Sequence, residues 1–134
     1  MTTTDIDTLT TAQVAQAAGV STRQLDYLVS AGVIDPAWIE GTGGSGSRRR
    51  WAPEQVKVVR LAAVLRELGA TDETLRPALA AIVTIPDERV WNARILVTVD
   101  GRLMTPLGAD ANGYLVDLAR CRDYAEFGVL TAVG

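Results

Sequence analysis

Residues 9–34 read LTTAQVAQAAGVSTRQLDYLVSAGVI. Two short helical patterns lie in this stretch, joined by Gly19-Val20-Ser21. Thr10-Thr11-Ala12-Gln13 fits a capping box, in which the threonine hydroxyl accepts from a backbone N–H and the glutamine reaches back. A helix over residues 11–18 follows, with Val14, Ala15 and Ala18 on one face. Gly19 ends it, because the tight turn calls for a positive φ that glycine adopts freely. Ser21-Thr22-Arg23-Gln24 is a second capping box. It opens a helix over residues 22–31, with Leu25, Leu28 and Val29 as its apolar stripe and Gly32 as its stop. Two short helices joined in this way, with Val20 filling the angle between them, are the core of a helix-turn-helix. A helical hairpin in a larger bundle shares the pattern, so the flanking sequence has to decide.

On the C-terminal side, residues 33–39 are apolar and interrupted by Pro36, which suits an extended edge segment. Residues 40–47 are rich in Gly, Ser and Thr, and Arg48-Arg49-Arg50-Trp51 then returns as a short basic strand. Together residues 33–51 read as a two-stranded wing with a loose tip. Three adjacent guanidinium groups neutralise phosphates, and a narrow glycine loop approaches or enters a minor groove. The alternative is a solvated charge run in a linker. Trp51, placed directly after the arginines as a packing anchor, argues for the wing. Residues 1–9 read as a flexible arm.

Pro53 begins a third helix that runs to about Leu68 and stops at Gly69, with Val56, Val59, Leu61, Val64, Leu65 and Leu68 on its apolar face. A fourth helix over residues 72–83 follows Thr71 as cap, and Pro77 inside it is expected to kink or split it. Residues 84–87, with Pro86, read as a linker. The period then changes. Residues 95–99 (ILVTV) are dense in strand formers, Asp100-Gly101 is a two-residue hairpin signal, and residues 102–105 form the return strand. A loop over 108–113, a third strand over 114–118 and a final helix over 120–133 complete the reading. The expected fold is mainly α with a small β part: a winged helix-turn-helix over residues 10–84, then a β-containing region over residues 87–134 that serves assembly or partner contact. That region either folds back on the third helix or pairs with a second chain through an exposed edge strand at 95–99.

Composition narrows the function. At 134 residues with 48% apolar content, the chain suffices for one compact domain or a module with an appendage. It has one cysteine, Cys121, and no histidine, which removes internal disulfides, zinc fingers and histidine acid–base chemistry. Cys121 reads as a small buried residue. No P-loop and no recognisably spaced carboxylate pair is present, so neither catalysis nor a metal nor any other cofactor is expected. The net charge of −3 counts against nucleic acid, but its distribution does not. Residues 1–70 hold seven acids and seven bases, whereas residues 71–134 hold nine acids and six bases. All bases but Lys57 are Arg, which with the abundant Ala, Gly and Val suggests a high-GC genome. No apolar run approaches the roughly 18–20 residues that cross a bilayer, and the polar N-terminus lacks a signal peptide's blocks, so a cytoplasmic, nucleoid-associated protein is expected.

Over residues 10–68 the chain resembles the DNA-binding domain of the MerR family and the related excisionase-type winged helices. LTTAQVAQAAGVSTRQLDYLVSAGVI is similar to that family's two-helix element, and SRRRWAPEQVKVVRLAAVLRELGAT to its second wing strand and following helix. The resemblance implies that Tyr27 and Arg49 stand at phosphate-contacting positions, that Arg23 is exposed on the recognition helix, and that Trp51 packs the wing on the core. The chain departs from the family at Asp26, where an arginine is usual, and at Leu28, where a second tyrosine is usual. Asp26 would turn away, accept from a cytosine amino group, or pair with a wing arginine. No long heptad helix for a dimerisation coiled coil is evident, nor are metal-binding cysteines.

Candidate DNA contacts are therefore Thr11, Thr22, Arg23, Gln24, Tyr27, Arg48, Arg49 and Arg50. The first turn of a recognition helix meets base edges in the major groove. Thr11 either donates to a phosphate or only closes its helix, and Gln24 either reads a base or only serves its capping box. The expected partner is double-stranded DNA, bound by a transcriptional regulator, with a homodimer or cooperative oligomer formed through residues 87–134. The competing readings are an excisionase-like architectural factor, of the kind a phage would carry, and a protein-interaction module.

Overall fold

A computed structural model describes residues 8–35, 50–106 and 112–133. Most of the expected arm, the 36–49 part of the wing with Arg48 and Arg49, and residues 108–111 of the expected loop lie outside the described residues. Five α-helices are described: α1 (Thr11–Ala18), α2 (Thr22–Ser30), α3 (Glu54–Glu67), α4 (Asp72–Ile82) and α5 (Leu118–Val133). Three strands, β1 (Arg94–Thr98), β2 (Leu103–Met104) and β3 (Gly113–Asp117), form one antiparallel sheet. The fold is thus mainly helical with a small sheet, as the periodicities predict.

Both capping boxes form. The Thr10 and Ser21 hydroxyls accept from the Gln13 and Gln24 N–H groups at 3.1 and 3.0 Å, and each glutamine accepts in return. Caps of this kind contribute about 1 kcal/mol each. They let two helices of eight and nine residues form where propensity alone would not. Gly19 adopts φ +78 between them. Leu25, Leu28, Val33, Ile34 and Val56 are all buried.

Several expectations change. Leu9, placed in the flexible arm, is fully buried and pairs with Trp51, their backbones exchanging bonds of 2.7 and 2.9 Å. The ladder partner of the post-wing strand is therefore, among the described residues, the segment preceding α1. An apolar residue opposite the buried Trp51 secures that pairing. Pro77 does not split α4, which runs unbroken over Asp72–Ile82. Its ring instead packs against the hairpin turn, where a Cβ on Gly101 would lie 3.1 Å from Pro77 Cβ. Thr71 stands at the N-cap of α4 without a side-chain cap bond. The expected linker leads directly into a 3₁₀ helix, Glu88–Asn92, which sequence patterning does not show. Its Trp91 is buried beneath the Lys57 ammonium, 4.9 Å from the ring centre.

The larger correction concerns the sheet. Its order is β2-β1-β3, so the apolar segment at 95–99 supplies the central strand. It pairs with β2 through Leu96↔Met104 and Val97↔Leu103, and with β3 through Leu96↔Leu115 and Val97↔Tyr114. Both of its edges are taken, which removes the edge pairing expected there. The chain turns at Asp100-Gly101, but the loop is one residue longer than the two expected. Gly101, at φ +85, donates its N–H to the Thr98 carbonyl at 2.8 Å, and the Thr98 N–H donates to the Arg102 carbonyl at 2.8 Å, so Val99, Asp100 and Gly101 form it. Thr74 of α4 donates to the Val99 carbonyl and ties the turn to the helical half.

Helix α5 returns across α1 and α3. Leu118, Cys121 and Ala125 recur at helical spacing and are buried, and Gly128 continues the row. The small side of this row, Cys121, Ala125 and Gly128, lets two backbones approach closely, Gly128 lying against Ala17 of α1. One apolar core runs from Leu9 to Ala125, crossing the boundary expected near residue 84.

Candidate nucleic-acid interface

The helix-turn-helix presents the first turn of α2 outward. Thr22, Arg23, Gln24 and Asp26 are exposed, while Leu25, Leu28 and Val29 face the core. The 100° step of the helix causes this division. Gln24 is committed in part, since its side-chain carbonyl accepts from the Ser21 N–H at 2.8 Å. Its amide N–H₂ group can still donate to an acceptor in front of the helix. Asp26 has no ion-pair partner among the described residues.

Thr11 sits differently from its neighbours. It is buried, and its hydroxyl accepts from Trp51 Nε1 at 3.1 Å. This bond satisfies the one polar atom of a fully buried indole and locks the post-wing strand onto α1. Arg50 stands beside it on the surface and donates through Nε and Nη2 to the Thr8 hydroxyl at 3.0 and 2.8 Å. The base of the wing is thus fixed from both sides.

Tyr27 is half-exposed and lies in a three-residue network that sequence reasoning misses. Its hydroxyl donates to Asp72 Oδ2 at 2.5 Å. Arg66 pairs with the other carboxylate oxygen at 2.5 Å and lies over the Tyr27 ring, 5.4 Å from its centre. The bond to the Asp72 carboxylate, with that carboxylate's charge, pushes the phenol above its ordinary 10.0. Arg76 on α4 donates to the Ala31 carbonyl at the C-terminal end of α2, at 2.8 Å. Helices α3 and α4 thereby hold the recognition helix at both its middle and its end. No periodicity marks Arg66, Asp72 or Arg76, because their partners lie six to forty-five residues away.

A groove of about 580 Å³ between α2 and α3 is lined by Arg23, Gln24, Tyr27, Arg66 and Glu67 among others. Its charge is mixed, with Arg23 from α2 and Arg66 from α3 against Glu67. Of the expected contacts, Arg23, Gln24 and Tyr27 line this groove, Thr22 is exposed at the start of α2, Arg50 lies at the wing base, and Thr11 is an internal strut. Arg48 and Arg49 lie outside the described residues. Among these residues no group of acids and cysteines is arranged to hold a metal, and no helix is long and apolar enough to cross a membrane.

Compared with known families, residues 9–82 match the model of the MerR HTH family of regulatory proteins, which is more than half of the chain. The match begins at Leu9 and ends with α4, so it takes in the Leu9–Trp51 pairing and the Tyr27–Asp72 network. Among curated proteins and among solved structures nothing matches.

Proposed function

The chain belongs to the MerR family of helix-turn-helix regulatory proteins, and from that premise we propose that it reads specific sequences in double-stranded DNA to regulate transcription. The first turn of α2 enters the major groove, where Arg23 and Gln24 meet base edges or flanking phosphates and Thr22 assists. Arg48, Arg49 and Arg50 of the wing neutralise the adjacent backbone or reach the minor groove. The observation that carries the reading is the exposed, doubly capped first turn of α2, rigid before any ligand arrives. A rigid donor array loses little entropy on binding. Asp72 and Arg66 set the Tyr27 hydroxyl at the margin of this face, where a phosphate would compete with Asp72 for its proton.

Assembly through residues 87–134, as a homodimer or a cooperative oligomer on DNA, would have to use an edge of the sheet or α5, since β1 is covered. The cell's cytoplasm and nucleoid are the expected setting.

Binding of the full chain to random duplex DNA across salt concentrations tests the proposal. The affinity should fall steeply with salt, and the triple variant R48A/R49A/R50A should flatten the logarithmic slope by about 2–3. Selection from a random DNA pool should then return a consensus that R23A relaxes. Absence of binding at low salt would sink the reading. DNA bending without a consensus would replace it with an architectural role.

A further inference from the structure

A second cleft, of about 510 Å³, opens on the face formed by α3, the sheet and the start of α5. This volume falls in the range of small-molecule sites. Its walls are apolar: Val64 from α3 and Leu68 at its C-cap, Leu115 and Val116 from β3, and the Tyr124 ring from α5. Leu68, Leu115 and Tyr124 are about half-exposed, which is unusual for three large apolar side chains grouped around one concavity. Its rim is cationic. Arg94 and Arg120 stand there beside the one acid of the lining, Asp117, and Arg60 lies deeper in the cleft. Both Arg94 and Arg120 approach that carboxylate, at 4.0 and 3.9 Å, so one charge is shared between two guanidinium groups and positive charge is left over. The rest of this half of the chain is acidic, which makes the local excess stand out.

From the apolar walls and the cationic rim together, we propose that this cleft binds a small amphiphilic organic anion, its flat apolar body against Leu68, Leu115 and Tyr124 and its acid group on Arg94 and Arg120. Guanidinium groups favour a planar, bidentate anion such as a carboxylate. The floor of the cleft connects to the helix-turn-helix. The Arg60 guanidinium stacks on the Tyr124 ring, 3.8 Å from its centre, and donates to the Ala18 carbonyl at 3.3 Å. The Tyr124 hydroxyl crowds Gly19, where a Cβ would lie 2.7 Å from it. A ligand stacked on Tyr124 therefore presses on the turn that precedes the recognition helix. Binding itself does not depend on what the helix-turn-helix reads.

The test uses the full chain and two fluorescent probes of the same ring system. Anilinonaphthalene sulfonate carries an anion, whereas phenylnaphthylamine is neutral. One sulfonate probe should bind per chain, about tenfold more tightly than the neutral one. The double variant R94Q/R120Q, both exposed positions, should remove that preference and leave the neutral probe unaffected. L115D should weaken both probes, and F127S, on an exposed apolar position outside the cleft, should change neither. The Gly19 amide resonance should move with the same midpoint as the fluorescence. Equal affinity for the two probes, wild-type binding by R94Q/R120Q, or loss in F127S would overturn the proposal. So would a dimer in the sedimentation of the unliganded chain that L115D splits, since a second copy would then fill the cleft. A silent Gly19 resonance would overturn the connection to the turn.

Discussion

Replacing Gly128 with alanine separates two descriptions of this chain by the sign of a stability change. Gly128 lies within α5, at the point where that helix crosses α1. In an isolated helix the change is favourable by about 1 kcal/mol, because alanine loses less backbone entropy. At this crossing a Cβ would lie 2.6 Å from Ala17 Cα and 2.8 Å from its carbonyl carbon, and closer still to the carbonyl oxygen. Ordinary contact begins at 3.4 Å, so the helices must part by more than about 0.8 Å or one of them must bend. Neither end of the contact can swing away, since both are backbone. Forced separations of this kind cost about 1–3 kcal/mol, and the buried row of Leu118, Cys121 and Ala125 would lose contact as well. The expected net result is a loss of about 1–2 kcal/mol, lowering the urea midpoint with an unchanged slope. In a domain of this size that lowers Tm by about 3–8 °C. E126A on the exposed side of the same helix should be neutral or slightly stabilising. A G128A protein more stable than wild type would refute the reasoning, because α5 would then not be seated on α1.

Three further outcomes follow from the geometry. Cys121 is buried, and desolvation pushes its thiol from 9.0 up to about 11. The unfolded chain therefore loses this proton first, so stability should decline as pH rises from about 9 towards 11. C121A should lack that part of the decline when the two are unfolded in urea at each pH, and wild-type Cys121 should react with a thiol reagent only on unfolding. Asp72→Asn removes a carboxylate from beside Tyr27 and Arg66, so DNA binding measured by anisotropy should tighten a few-fold at low salt and converge on wild type at high salt. Unchanged affinity at low salt would place this network away from the phosphates. Gly101→Ala combines a φ of +85 with a Cβ 2.6 Å from the Thr74 carbonyl oxygen, and should cost about 2–3 kcal/mol by chemical denaturation.

The sequence alone determined whatever rests on neighbours three or four residues apart. Both capping boxes, the bounds of α1 and α2, the Gly19 turn, the presence of a turn at Asp100-Gly101 and the family resemblance over residues 10–68 are of this kind. The hydrogen bonds that decide them close within one turn of chain, so their donors and acceptors can be read side by side. Trp51 and Cys121 were also legible as buried residues, since side-chain chemistry sets their cost of exposure. Tertiary structure alone decided which distant segment satisfies each remaining group. Leu9 rather than the segment after α2 pairs with Trp51 among the described residues, and the Thr11 hydroxyl accepts from the buried indole forty residues away. Tyr27 finds Asp72, and the strand that looked like a free edge becomes the centre of the sheet. Strand-forming residues state that a ladder will form, but not on how many sides. That depends on where β3 returns and on the close crossing of α1 that Gly128 permits.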